Sequence, residues 1–138
     1  MKDAISSGRA LEKFREFIIK QNGDIAFIDD YSLLPLATPY EIKAEKDGYI
    51  KEIDSYKIGG LSMALGGGRK SKEDKIDYGV GILLNKKTYD RVLKDEVIGT
   101  LYLREPLTEE IKREFLNAFS FSSDKVNKSS NIILNTVS

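Results

Sequence analysis

Tyr40-Glu41-Ile42-Lys43-Ala44-Glu45-Lys46-Asp47-Gly48-Tyr49-Ile50-Lys51-Glu52-Ile53 is the stretch on which the fold turns. Tyr40, Ile42 and Ala44 alternate with Glu41, Lys43 and Glu45, the period of a half-buried strand. Asp47-Gly48 is a hairpin turn signal, and Tyr49 to Ile53 is predicted to return as a second strand. Downstream, Val80, Ile82 and Leu84 predict a strand beginning near Tyr78, Asn85-Lys86-Lys87 a turn, and Val97 to Leu103 another strand. Most links between these strands are too short for parallel crossovers, so the sheet is expected to be mainly antiparallel.

Helices interrupt the strands. Asp54 is placed to cap a helix whose apolar side is Ile58, Leu61, Ala64 and Leu65. Gly59-Gly60 weakens it as a free helix, and Gly66-Gly67-Gly68 stops it. Thr108 caps a last helix, with Glu109 and Glu110 suited to its dipole and Ile111, Phe115, Leu116 and Phe119 as its buried stripe. From Ser120 the chain is rich in Ser and Asn and is expected to be a disordered tail. Upstream, Ala10, Leu11, Phe14, Phe17 and Ile18 recur at helical spacing. Ser7 is the expected cap of that helix and Asn22-Gly23 its end, with Gly taking the left-handed position. Asp24 caps a short turn through Ile25, Phe27 and Ile28, and residues 29–39, with Pro35 and Pro39, read as a connector. The sum is an α+β domain preceded by a helical arm whose apolar stripe lacks a partner of its own class.

Composition narrows the chemistry. The 138 residues contain no Cys and no His, which excludes thiolate metal sites, a Cys nucleophile, imidazole ligands and a His general base. Lys+Arg and Asp+Glu each number 22, a balance that argues against a general nucleic-acid binder. No apolar run approaches the roughly 18 residues of a membrane span, and Met1-Lys2-Asp3-Ala4-Ile5 lacks a signal-peptide core. A soluble, cytoplasmic protein is expected, with no nucleic-acid or membrane partner.

Five segments together resemble one family: Ser7 to Phe14, Lys43 to Ile50, Leu65-Gly66-Gly67-Gly68-Arg69, Lys72 to Asp77, and Val80 to Lys87. In this order and spacing they are similar to the C-terminal part of pyrimidine-nucleoside phosphorylases, the family that includes thymidine phosphorylase. The resemblance covers nearly all of residues 2–119. It implies that residues 1–37 are a helical arm and linker, the end of a missing α/β phosphate-binding domain. Residues 38–119 would be the C-terminal hammerhead domain, barrel-sandwich-like and related to biotinyl and lipoyl carriers, and residues 120–138 the polar tail. It also implies a parent transferase, a pentosyltransferase in which phosphate displaces the base of a pyrimidine nucleoside to give free base and (deoxy)ribose 1-phosphate. The parent would be a homodimer whose base- and phosphate-binding residues lie in its missing N-terminal domains. No catalytic residue and no cofactor is then expected in this chain, with phosphate the co-substrate of the parent.

The site candidate is Gly66, Gly67, Gly68 and Arg69. Successive glycine amides and the Arg69 fork suit an anion, whereas a helix end needing positive φ explains the same residues without a ligand. No Gly-Lys-Ser/Thr run follows a strand here, so this is no P-loop. The resemblance implies a loop facing the interdomain cleft and stabilising its closed state. The charge run Lys72, Glu73, Asp74, Lys75 and Asp77 lacks calcium-loop spacing and reads as a solvated loop. Asp90 to Ile98 resembles the lipoyl-type hairpin, with Tyr89 and Asp95 where that pattern carries Gly. Lys86-Lys87 at a turn leaves a second reading, a free-standing biotinyl- or lipoyl-like carrier or adaptor domain. Phe14, Phe17 and Phe27 read as interdomain packing rather than ligand stacking.

Overall fold

The computed structural model describes residues 2–69 and 71–126, and the polypeptide divides into two units between Pro35 and Leu36. The first unit is helical: α1 (Lys2–Ser6), α2 (Arg9–Lys20), α3 (Ala26–Asp29) and a 3₁₀ turn at Tyr31–Leu33. Ser7 does not cap α2. Its hydroxyl donates to the Asp3 carbonyl and accepts from Arg9 Nε, while Gly8 occupies the cap position with φ 76° and no side-chain cap bond. The residue in the left-handed region at the end of α2 is Asn22 (φ 57°), not Gly23. Asn tolerates that region because its short amide bonds locally. The Asp24 carboxylate does take the Ala26 amide, at 2.8 Å, and the Arg15 guanidinium forks onto Asp29 to tie α2 to α3. Ile28 is buried, but α2 has no buried residue, and Leu11, Phe14 and Phe17 are exposed.

Among its described residues the second unit holds six strands in two antiparallel sheets. β1 (Thr38–Lys43), β2 (Gly48–Ile53), β3 (Gly81–Leu84), β4 (Arg91–Val92), β5 (Val97–Leu103) and β6 (Phe119–Ser122) form the orders β1-β5-β3 and β4-β2-β6. The predicted hairpin between β1 and β2 is therefore absent. Each of those strands pairs instead with part of the 91–103 segment: Lys43 lies opposite Val97, and Gly48 opposite Val92. These two pairings keep one register through the corner, so the two segments form a single bent antiparallel ribbon that passes from one sheet to the other. The turn chemistry at Asp47 is satisfied across that ribbon: its Oδ1 accepts from Lys94 N at 2.7 Å, and the Ala44 carbonyl accepts from Asp95 N at 2.9 Å. For the same reason β4 and β5 do not pair with each other, as the expected lipoyl-type hairpin over 90–98 requires. No hydrogen-bonded strand closes the two sheets into a barrel among the described residues.

Both residues that stand in place of Gly take positive φ, Tyr89 at 78° and Asp95 at 65°. A left-handed L-residue costs about 1–2 kcal/mol, less for Asp than for residues without a short polar side chain. Asp95→Ala is therefore expected to lower stability by about 1 kcal/mol, with Asp95→Gly within about 0.5 kcal/mol of the parent chain. Urea midpoints at constant slope check the contrast, and equal midpoints for the two variants would contradict the assigned backbone.

α4 (Ser55–Ser62) and α5 (Glu109–Leu116) supply the remaining cover. Asp54 caps α4 through the Tyr56 and Lys57 amides, and Thr108 Oγ1 caps α5 by accepting from Ile111 N. Ile42, Ile50, Val92, Ile98, Leu101 and Phe115 are the largest fully buried side chains. Each contributes roughly 1.5–3 kcal/mol on leaving water. Phe119 packs on Phe115 as expected, with ring centroids 4.9 Å apart, but from β6 rather than from the last helix. The expected disordered tail from Ser120 is corrected at its start: Ser120 to Ser122 continue β6, with Ser120 opposite Glu52 and Ser122 opposite Tyr49. Residues 127–138 of that expected tail lie outside the described residues.

Candidate functional site

The glycine turn is built by α4. Past Ser62 the helix widens into a π-type turn over Met63–Gly67, and Gly66 breaks it with φ 101°. A side chain at Gly67 would meet Ser62 Oγ at 2.9 Å and the Ser62 carbonyl oxygen at 3.1 Å, so the preceding turn approaches this glycine closely. Gly68 is extended, and Arg69 is exposed. The geometry thus supplies a structural reason for the glycines. It also weighs against the anion reading, because the turn lies at the C-terminal end of α4, where the helix dipole is negative.

Asp77 is bonded to the turn. Its amide donates to the Gly66 carbonyl at 3.0 Å. Its carboxylate accepts from Gly79 N at 2.8 Å and from both Nε (2.7 Å) and Nη2 (2.9 Å) of Arg104. These bonds stabilise the ionised form, Arg104 first, and bring the Asp77 pKa down to about 2. A carboxyl depressed in the folded state contributes stability above its unfolded pKa and loses it as pH falls through the folded value. Carbon-13 titration is therefore expected to show Asp77 still ionised at about pH 3, with Arg104→Ala moving its midpoint back toward the ordinary carboxylate range. An unmoved midpoint would contradict the assignment. Sequence reasoning placed Asp77 in a solvated charge run and did not single out Arg104. An Arg 27 positions away leaves no local signal. Elsewhere in that run, Ser71 N and Oγ donate to the Asp74 carboxylate at 2.9 and 2.8 Å.

The carrier lysine does not find its setting. Lys86 pairs with Glu96, and β3 and β4, which flank Lys86-Lys87, belong to different sheets, so no hairpin tip presents either lysine. A groove of about 450 Å³ runs between α4 and α5 along Tyr56, Lys57, Gly60, Leu61, Glu114 and Asn117. Lys57 Nζ is held there by the Asn117 carbonyl at 3.1 Å. Among the described residues no group of three or more Asp or Glu is placed to hold a metal ion, and no helix is long and apolar enough to cross a membrane.

This unit is an α+β domain of two antiparallel sheets with a glycine turn at the end of α4. The comparisons give its family. Residues 49–122 match the family described as the pyrimidine nucleoside phosphorylase C-terminal domain, and the chain belongs to that family. It is 45% identical over 122 residues to a pyrimidine-nucleoside phosphorylase of Staphylococcus epidermidis, covering 88% of this chain and 28% of that protein. It is 42% identical over 119 residues to the Bacillus subtilis pyrimidine-nucleoside phosphorylase (85% and 28%), and 47% identical over 113 residues to that of Staphylococcus aureus (80% and 26%). The chain therefore spans a little over a quarter of the length of these relatives.

Proposed function

We propose that this chain is the C-terminal portion of a pyrimidine-nucleoside phosphorylase and serves that enzyme architecturally, lining and closing one side of the active-site cleft. The parent reaction is phosphorolysis: phosphate attacks the anomeric carbon of a pyrimidine nucleoside, the glycosidic bond breaks, and free base and (deoxy)ribose 1-phosphate result. In this reading the second unit is the hammerhead domain, and the helical unit ends the α/β phosphate-binding domain that precedes it. The parent is a cytoplasmic homodimer that needs phosphate as co-substrate and no cofactor in this portion. Gly66, Gly67, Gly68 and Arg69 face the cleft and favour its closed state, without chemistry of their own.

The observation that carries the reading is the 45% identity over 88% of the chain, joined to a family match over 49–122. The absence of His and Cys supports placing the reacting groups elsewhere in the parent. The chain alone is accordingly expected to give no phosphate-dependent release of uracil from uridine or thymine from thymidine, followed by absorbance. Base release by the pure, tag-free chain would overturn its assignment as a non-catalytic portion.

A further inference from the structure

We infer that Asp77 is the positioning residue of the glycine turn and that Arg104 is the group that orients it. Asp77 joins three parts of the fold that are distant in sequence. Its amide holds the Gly66 carbonyl at the end of α4, its carboxylate holds the Gly79 amide on the approach to β3, and Arg104 follows directly on β5. β5 is the central strand of its sheet and buries Ile98, Leu101 and Leu103, so it offers a well-packed anchor for a turn. The Arg104 fork contacts both carboxylate oxygens, which sets the plane of the carboxylate as well as its place. In that plane Oδ1 accepts from the Gly79 amide, while the Asp77 backbone amide separately donates to the Gly66 carbonyl.

An exposed ion pair is ordinarily worth little, because solvent screens it and two long side chains must be ordered. This pair is bidentate, one partner is short, and the carboxylate is already fixed by a backbone amide, so its effect is expected in the geometry of the turn more than in global stability. The role in the cleft rests on the function proposed above. The positioning itself does not, and it is measured on the chain alone.

The test is amide hydrogen exchange by NMR on the full chain, comparing the parent with Arg104→Ala, Arg104→Lys and Asp77→Asn. Arg104 is half exposed, so its variants fold. The expected result for Arg104→Ala is exchange of the Asp77 and Gly79 amides faster by about tenfold or more, with the Ile98 and Leu101 amides of β5 unchanged. Asp77→Asn is expected to do the same at Asp77's position. Arg104→Lys restores only part of the protection, since an ammonium has no planar fork. Two outcomes overturn the inference: protection at 77 and 79 that survives Arg104→Ala, or acceleration spread equally over β5, which would make the pair a general contributor to stability.

Discussion

Gly99→Ala is expected to destabilise the second unit by about 3 kcal/mol, the upper range for forcing a methyl into a packed core. A Cβ built at Gly99 would lie 2.3 Å from Cζ of Phe115 and 3.1 Å from both Cε atoms. Neither side can give way easily. Gly99 is in the middle of β5, paired with Ile42 on one side and Leu84 on the other. Phe115 is fully buried and backed by Phe119. For a unit of this size each kcal/mol moves the midpoint by roughly 4–8 °C, so a loss of more than 10 °C is expected in thermal unfolding. Phe115→Leu relieves the collision, so the double variant should be more stable than the sum of the two single losses implies. Strict additivity would show that the ring does not lie over the glycine.

Gly48→Ala is expected to cost about 2 kcal/mol by a different route. Its Cβ would stand 2.8 Å from the carbonyl oxygen of Ser122, which is backbone and can yield only if β6 moves. β6 is an edge strand of four residues, so it gives way before β2 does. Amides of β6 should lose protection while those of β1 and β5 keep theirs. Uniform loss across both sheets, or none, would contradict the pairing of Tyr49 with Ser122.

Much of the element list was legible because local chemistry announces it. Asp54 and Thr108 cap helices as their positions suggest, and the alternation about Ile42 and the run through Leu101 are strands. Pairing was not legible. Asp47-Gly48 carries the residues of a hairpin, but the Asp47 carboxylate accepts from Lys94 N and the nearby Ala44 carbonyl from Asp95 N, a proximity that depends on the ribbon being bent across both sheets. β6 was hidden for a related reason: Phe119-Ser120-Phe121-Ser122 alternates correctly, but it is four residues long and stands at the start of a polar stretch. The glycine turn was read as a helix stop from its own residues. The Asp77–Arg104 contact beside it was not legible, since charge runs of that composition usually face solvent without partners.

The most direct test of the central claim is a replacement. The 122 matched residues of the Staphylococcus epidermidis pyrimidine-nucleoside phosphorylase are exchanged for the corresponding part of this chain, and phosphate-dependent release of uracil from uridine is followed by absorbance. Release by the hybrid is expected, and none by the truncated relative or by this chain alone. A hybrid that folds but releases no base, or a truncated relative as active as the intact enzyme, would contradict the assignment of this chain as the closing portion of a phosphorylase.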